Sequence, residues 1–145
     1  MVALAAWIGA RWVARQEREI ARGGRALTPR QRAEAVGLGV REPDRVRVQY
    51  FRDFPSGLPG WLGWAGPLVR RAARGTEGMA LGHGILLRAD RAADPVLLRH
   101  ELVHVAQYER LGVRGFLRAY LWEWWVAGYP HGSLEIEARR KERSS

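Results

Sequence analysis

The sequence predicts a single α+β domain, and three observations point to it. Residues 2–20, 95–112 and 115–127 carry apolar side chains at helical spacing. Residues 45–50, Arg-Val-Arg-Val-Gln-Tyr, alternate with period two, as a half-buried strand does. Met79-Ala80-Leu81 and Ile85-Leu86-Leu87 flank Gly82-His83-Gly84, the pattern of two strands joined by a tight turn. A chain of 145 residues, 47% of them hydrophobic, can build one core of its own and is short for two.

The elements follow in order. The first helix covers 2–20 and ends at Gly23-Gly24. Thr28 before Pro29 is an N-cap followed by proline at the first helical position. A short helix therefore runs from Pro29 to about Val36 and stops near Gly37 and Gly39. After the strand at 45–50, residues 51–78 are rich in Pro, Gly and Trp and read as irregular, with a helical turn around 67–73. The strands at 45–50 and 79–88 are expected to form a small antiparallel sheet. Asp94-Pro95 starts the next helix and Gly112 ends it; another runs from about Gly115 to Ala127 and ends at Gly128. After Tyr129-Pro130-His131-Gly132, Ser133 is placed to cap a last helix through Leu134–Ala138, and the charged tail from Arg139 is expected to fray. The division expected is an N-terminal helix, packed or peripheral, over 1–25, the main domain over 26–141 and a frayed tail over 142–145.

Composition narrows the chemistry. With no cysteine, thiolate metal ligands, disulfides and a cysteine nucleophile are all excluded. The net charge of +9 favours acidic partners, yet the arginines are spread along the chain without any recognisable nucleic-acid-binding motif, so no specific nucleic-acid partner is expected. The apolar start has no basic leader and is broken by Arg11, well short of the ~20 residues of a spanning helix. A cytoplasmic protein is expected. Trp7, Ile8, Trp12 and Val13 beside Arg11, Arg15 and Arg18 also suit a helix lying on an anionic membrane surface, the alternative to one packed on the domain. Trp122, Trp124 and Trp125, with Trp61 and Trp64, read as core and groove wall, or as a hydrophobic docking face if exposed.

Residues 100–104 read His-Glu-Leu-Val-His. Residues four apart on a helix lie on one face, so His100 and His104 can reach one ion. Glu101 lies about 100° round the helix, beside that ion, where a general base for a metal-activated water belongs. A zinc hydrolase takes three protein ligands as a rule. The third must come from elsewhere, and the candidates are Glu135 and Glu137 on the last helix.

At this point the chain resembles a known group. Gly78-Met79-Ala80-Leu81-Gly82-His83-Gly84-Ile85 followed by Leu97-Leu98-Arg99-His100-Glu101-Leu102-Val103-His104-Val105-Ala106-Gln107 is similar to a bacterial zincin-like family. That family is the peptidase-like domain of extracellular contractile injection system cores and related small proteins. Its pattern is small-x-x-Gly-x-x-Ile, then Leu-Leu-x-His-Glu-Leu-Thr-His-Val-x-Gln; Val103 stands here for the threonine, off the metal face. Gly128-Tyr129 with Leu134-Glu135-x-Glu137-Ala138 resembles the end of its small members and the Glu-x-x-Ala element of membrane-linked zincins. The likeness is close over 78–138 and loose over 26–140.

The resemblance implies a zincin-like domain binding Zn2+ through His100, His104 and Glu135, with Glu137 and Gln107 as supporting contacts. Tyr129 and His131 become candidates for oxyanion stabilisation, and His83 is a substrate contact or an exposed turn residue. The expected function is a zinc-dependent metallopeptidase in which a metal-activated water attacks a peptide or protein substrate, with Glu101 moving the proton. The alternative is a non-catalytic zinc-stabilised interaction module, associated with a membrane surface.

Overall fold

The computed structural model describes residues 2–52, 76–127 and 131–143. The irregular stretch expected over 51–78, with its helical turn at 67–73 and with Trp61 and Trp64, lies mostly outside them, as does Tyr129. The described elements are α1 (Val2–Gly23), β1 (Arg25–Ala26), α2 (Pro29–Gly37), β2 (Arg47–Phe51), β3 (Gly78–Leu81), β4 (Gly84–Arg88), α3 (Pro95–Ala127) and α4 (Ser133–Glu142). They make the mixed α+β architecture that the sequence predicts, four helices with one small sheet.

Local chemistry sets several boundaries. Thr28 Oγ1 accepts the Gln31 amide at 3.2 Å while Gln31 Oε1 accepts the Thr28 amide at 3.0 Å, a reciprocal cap that satisfies two otherwise orphaned donors. Val46 and Val48 turn into the core while Gln49 stays exposed, as the period-two pattern requires. Gly112 takes φ 68° and ψ 161°, a backbone that L side chains rarely adopt, so α3 breaks there into two helical segments without a loop between them. The end and restart expected near Gly112 and Gly115 are thus a single kink.

The sheet departs from expectation. Its order is β1-β2-β4-β3, antiparallel at both outer pairs but parallel between β2 and β4, where Val48 faces Ile85. The Gly82-His83 turn folds β3 back on β4 and leaves β3 outermost, so β2 meets the other edge of β4 in the same direction. β3 runs opposite to both and carries the chain back to the end of the sheet where β2 began, so β4 starts parallel to β2. Gly84 through Leu87 are all buried, the signature of an interior strand covered on both faces. The two-residue edge strand β1 is too short to leave a sequence pattern.

α1 belongs to the domain. Ala6, Val13 and Ile20, seven residues apart, are all buried. A Cβ added at Gly84 would lie 2.8 Å from Ile20 Cδ1, so a glycine lets the helix lie directly on β4. Of the two placements expected for this helix, packed or peripheral, it takes the packed one, and β1 directly after it pairs with β2. No helix among the described residues is long and apolar enough to cross a membrane.

The end of the chain also differs. Ser133 does not cap α4: Gly132 holds that position without a side-chain cap, and the Ser133 hydroxyl and Leu134 amide both donate to Glu123. α4 continues through Glu142, so the tail expected to fray from Arg139, and the boundary at 142, are corrected. Packing of α4 on α3 holds these last turns, which α4's own sequence could not foretell.

Candidate metal centre

The first half of α3 is buried around Leu98, Leu102, Val103, Val105 and Ala106, and it carries the two histidines on its remaining face. His104 Nε2 lies 3.1 Å from His100 Nε2. From α4, Glu135 reaches both: Oε2 is 3.4 Å from His100 Nε2 and Oε1 is 3.4 Å from His104 Nε2. Each imidazole nitrogen thus faces a different oxygen of the same carboxylate, and one ligand atom from each residue lies within 4.8 Å of the others, near enough to converge on one ion whose ligand atoms stand ~3.3–3.4 Å apart. Glu135 Oε2 is buried and accepts no hydrogen bond among the described residues, with His100 Nε2 3.4 Å away. His100, His104 and Glu135 together form a group able to hold a metal ion.

Each ligand is oriented from behind. His100 Nδ1 meets Glu142 Oε2 at 2.7 Å and His104 Nδ1 meets Gln107 Oε1 at 2.8 Å, which leaves both Nε2 atoms turned inward. Gln107 in turn donates to the Leu134 carbonyl and to Glu137 Oε2, both at 3.0 Å, tying α3 to α4. Tyr120 donates to Glu135 Oε1 at 3.2 Å, and Phe116 lies edge-on to His104 with ring centroids 5.9 Å apart.

The field is strongly negative once both imidazoles are neutral. Burial opposes charge on His100, but Glu135, Glu101 and Glu142 outweigh it and raise its pKa to about 9. Burial likewise opposes charge on His104, and Glu135 and Glu101 again raise its pKa. Burial pushes the Glu135 carboxyl up, yet both histidines pull it well below the usual carboxylate range. The same carboxylates that hold protons on the imidazoles would favour a divalent cation in their place.

Glu101 stands apart from that triangle. Burial pushes its pKa up; charge on His104 and His100 and the backbone amide of Ala80 pull down, while Glu135 pushes up again. A Cβ at Gly78 would lie 2.7 Å from Glu101 Oε1, so β3 passes directly over this carboxyl. A buried carboxyl with a raised pKa beside a cation site is suited to taking and giving a proton.

Not every expected residue reaches the centre. Glu137 turns away: Arg110 above all, with Lys141 and Gln107, holds its carboxyl down at about 2 against the opposing effect of burial, and it serves as a clamp between helices. His131 is exposed, and Tyr129 falls outside the described residues. Two residues absent from the sequence reading do take part. Glu142 follows Glu135 by seven residues, two helical turns, so the shared face was a readable signal. Tyr120 had none, because the kink at Gly112 decides where it points.

His83 is neither an exposed turn residue nor a contact of the centre. Its ring lies between Glu17 of α1, 3.2 Å from Nδ1, and Glu109 of α3, 3.0 Å from Nε2. Glu109 also accepts the Arg41 amide at 2.6 Å and the Glu42 amide at 3.0 Å. The hydrogen bond to Glu17 raises the His83 pKa, burial opposes, and Glu109 adds to the rise. Glu17 is lowered chiefly by His83, and Glu109 is lowered against burial by the two amides and His83. The His83 contribution to stability is complete below its unfolded value of 6.5 and is lost as pH rises through the higher folded value. The carboxylate contributions are present above 4.5 and lost as pH falls through the lowered folded values. Urea unfolding of wild type and His83→Gln should therefore differ most between about pH 4.5 and 6.5 and less on either side. A gap that stays constant with pH would rule out the charged clasp.

No family model, curated protein or solved structure matches the chain.

Proposed function

We propose that this chain is a zinc-dependent peptidase of the zincin type. The observation that carries the reading is the convergence of His100 Nε2, His104 Nε2 and the Glu135 carboxylate within 3.4 Å of one another, with one carboxylate oxygen accepting no hydrogen bond among the described residues. Two imidazoles and a carboxylate suit zinc, and Asp, Asn or carbonyl oxygens, which calcium and magnesium prefer, are not part of the set. Bound there, zinc would supply a Lewis acid and a water acidic near neutral pH.

The remaining work falls to the chain's own residues. Glu101 takes the proton of the attacking water and delivers it to the leaving amine, and its burial keeps competing solvent away. Glu142 and Gln107 hold the imidazoles in the tautomer that leaves Nε2 free. β3 is an outer strand and passes over Glu101, so an extended peptide would pair along Gly78–Leu81. β4 is paired on both sides and offers no such edge.

A second reading rests on the same geometry. The ligands come from two helices, so an ion would also staple α4 to α3 in a non-catalytic module. Zinc stoichiometry measured beside cleavage of a broad peptide library separates the two. Full zinc with cleavage supports the peptidase, full zinc without cleavage leaves the module, and a chain that takes up no zinc sinks both. Glu142→Gln keeps the shape of the His100 contact and removes its charge; zinc affinity should fall roughly 10- to 100-fold. An unchanged affinity in a competition titration would show that Glu142 does not orient the ligand.

A further inference from the structure

Away from the metal centre, α1 and the second half of α3 present a basic face tipped with large apolar side chains. On α1, Trp7, Arg11, Arg15, Arg18 and Arg22 are all exposed and recur every three or four residues, one stripe of the helix. Past the kink, α3 exposes Arg114, Arg118, Trp122 and Val126 at four-residue spacing. A groove walled by Trp7 and Arg11 on one side and by Leu111 and Arg114 on the other joins the two helices.

Charge and exposure single this face out. Arg11 stands 5.5 Å over the Trp7 ring and Arg15 pairs with Glu19 at 3.1 Å. Arg18, Arg22, Arg114 and Arg118 make no ion pair among the described residues, which leaves four guanidinium groups facing water. Leu111, Trp122 and Val126 are 40%, 59% and 64% exposed, and Trp7 is 44% exposed. Single exposed apolar residues are ordinary, but here four of them lie along one groove and the helix that forms its wall.

We propose that this two-helix face adsorbs to an anionic bilayer. The headgroup region takes guanidinium groups at lipid phosphates and accepts Trp, Leu and Val side chains about 5–10 Å deep, so one surface satisfies both kinds of residue. Nucleic acid would satisfy the arginines and leave Leu111 and Val126 without an apolar bed. The net charge of +9 adds long-range attraction to such a surface. None of these residues contributes to the His100–His104–Glu135 cluster, so the inference stands apart from the peptidase reading.

The test is co-sedimentation of the full chain with phosphatidylcholine vesicles, with and without one third phosphatidylglycerol. Wild type should pellet with the anionic vesicles alone and be released at about 1 M salt, where the Debye length is ~3 Å. Reversing Arg18, Arg22, Arg114 and Arg118 to Glu should abolish binding, since each basic residue near the surface contributes about five-fold. Trp7→Ser with Trp122→Ser should weaken it at least about tenfold, with an unchanged circular dichroism spectrum as the folding check. Equal binding to both vesicle types, binding to neither, or anionic binding untouched by the charge reversals would overturn the proposal. So would tight binding of duplex DNA by a chain that ignores vesicles.

Discussion

Glu101→Gln is expected to keep the zinc and lose the cleavage. The change swaps a carboxyl for an amide of the same shape on a side chain that lies outside the ligand triangle. It removes the only described buried carboxyl that has a raised pKa and lies beside the centre, and an amide cannot accept and return a proton. A positioned general base contributes about 10²- to 10⁴-fold, and the rate should fall by that much at unchanged zinc content. Stability should hold or rise, because a buried carboxyl is relieved of its desolvation cost. Loss of zinc in this variant would make Glu101 a ligand, and retained cleavage would remove it from the reaction.

The second large effect concerns the third ligand. Glu135→Ala should reduce zinc affinity by well over the roughly 100-fold that loss of an outer partner costs, and should abolish cleavage with it. Glu137→Ala is the control. Its carboxylate is already engaged by Arg110, Lys141 and Gln107, so its removal should cost about 1 kcal/mol or more of stability and leave the zinc in place. Competition against a chromogenic chelator, with denaturant unfolding in parallel, reads both quantities. Equal loss of affinity in the two variants would mean that the helix, and not one carboxylate, holds the ion.

His100, Glu101 and His104 were legible because a helix fixes the directions of residues one and four apart wherever it packs. The cap at Thr28, the break at Gly112 and the inward valines of β2 were legible for the same reason, since each depends on neighbours in the chain. The resemblance preferred Glu135 over Glu137, and the geometry brings Glu135 to the histidines. Spacing alone could not have chosen, because the two lie about 200° apart on α4 and either face could have been the docked one.

What lay beyond the sequence depends on contacts between distant segments. Alternation told which face of β2 is buried but not which strand lies beside it, and the parallel β2–β4 pair arises because β3 takes the outer edge of β4. His83 followed the turn of a hairpin in sequence, and only the packing of α1 and α3 over that turn brings Glu17 and Glu109 to its two nitrogens. The tail looked charged and free until the docking of α4 on α3 brought Glu142 to His100. The sequence by itself determined the two histidines, the glutamate beside them and the helix that carries all three, because local geometry is independent of the rest of the chain. Tertiary structure decided the carboxylate that completes the triangle and the partners that hold each ligand, because those contacts exist only once the helices have packed.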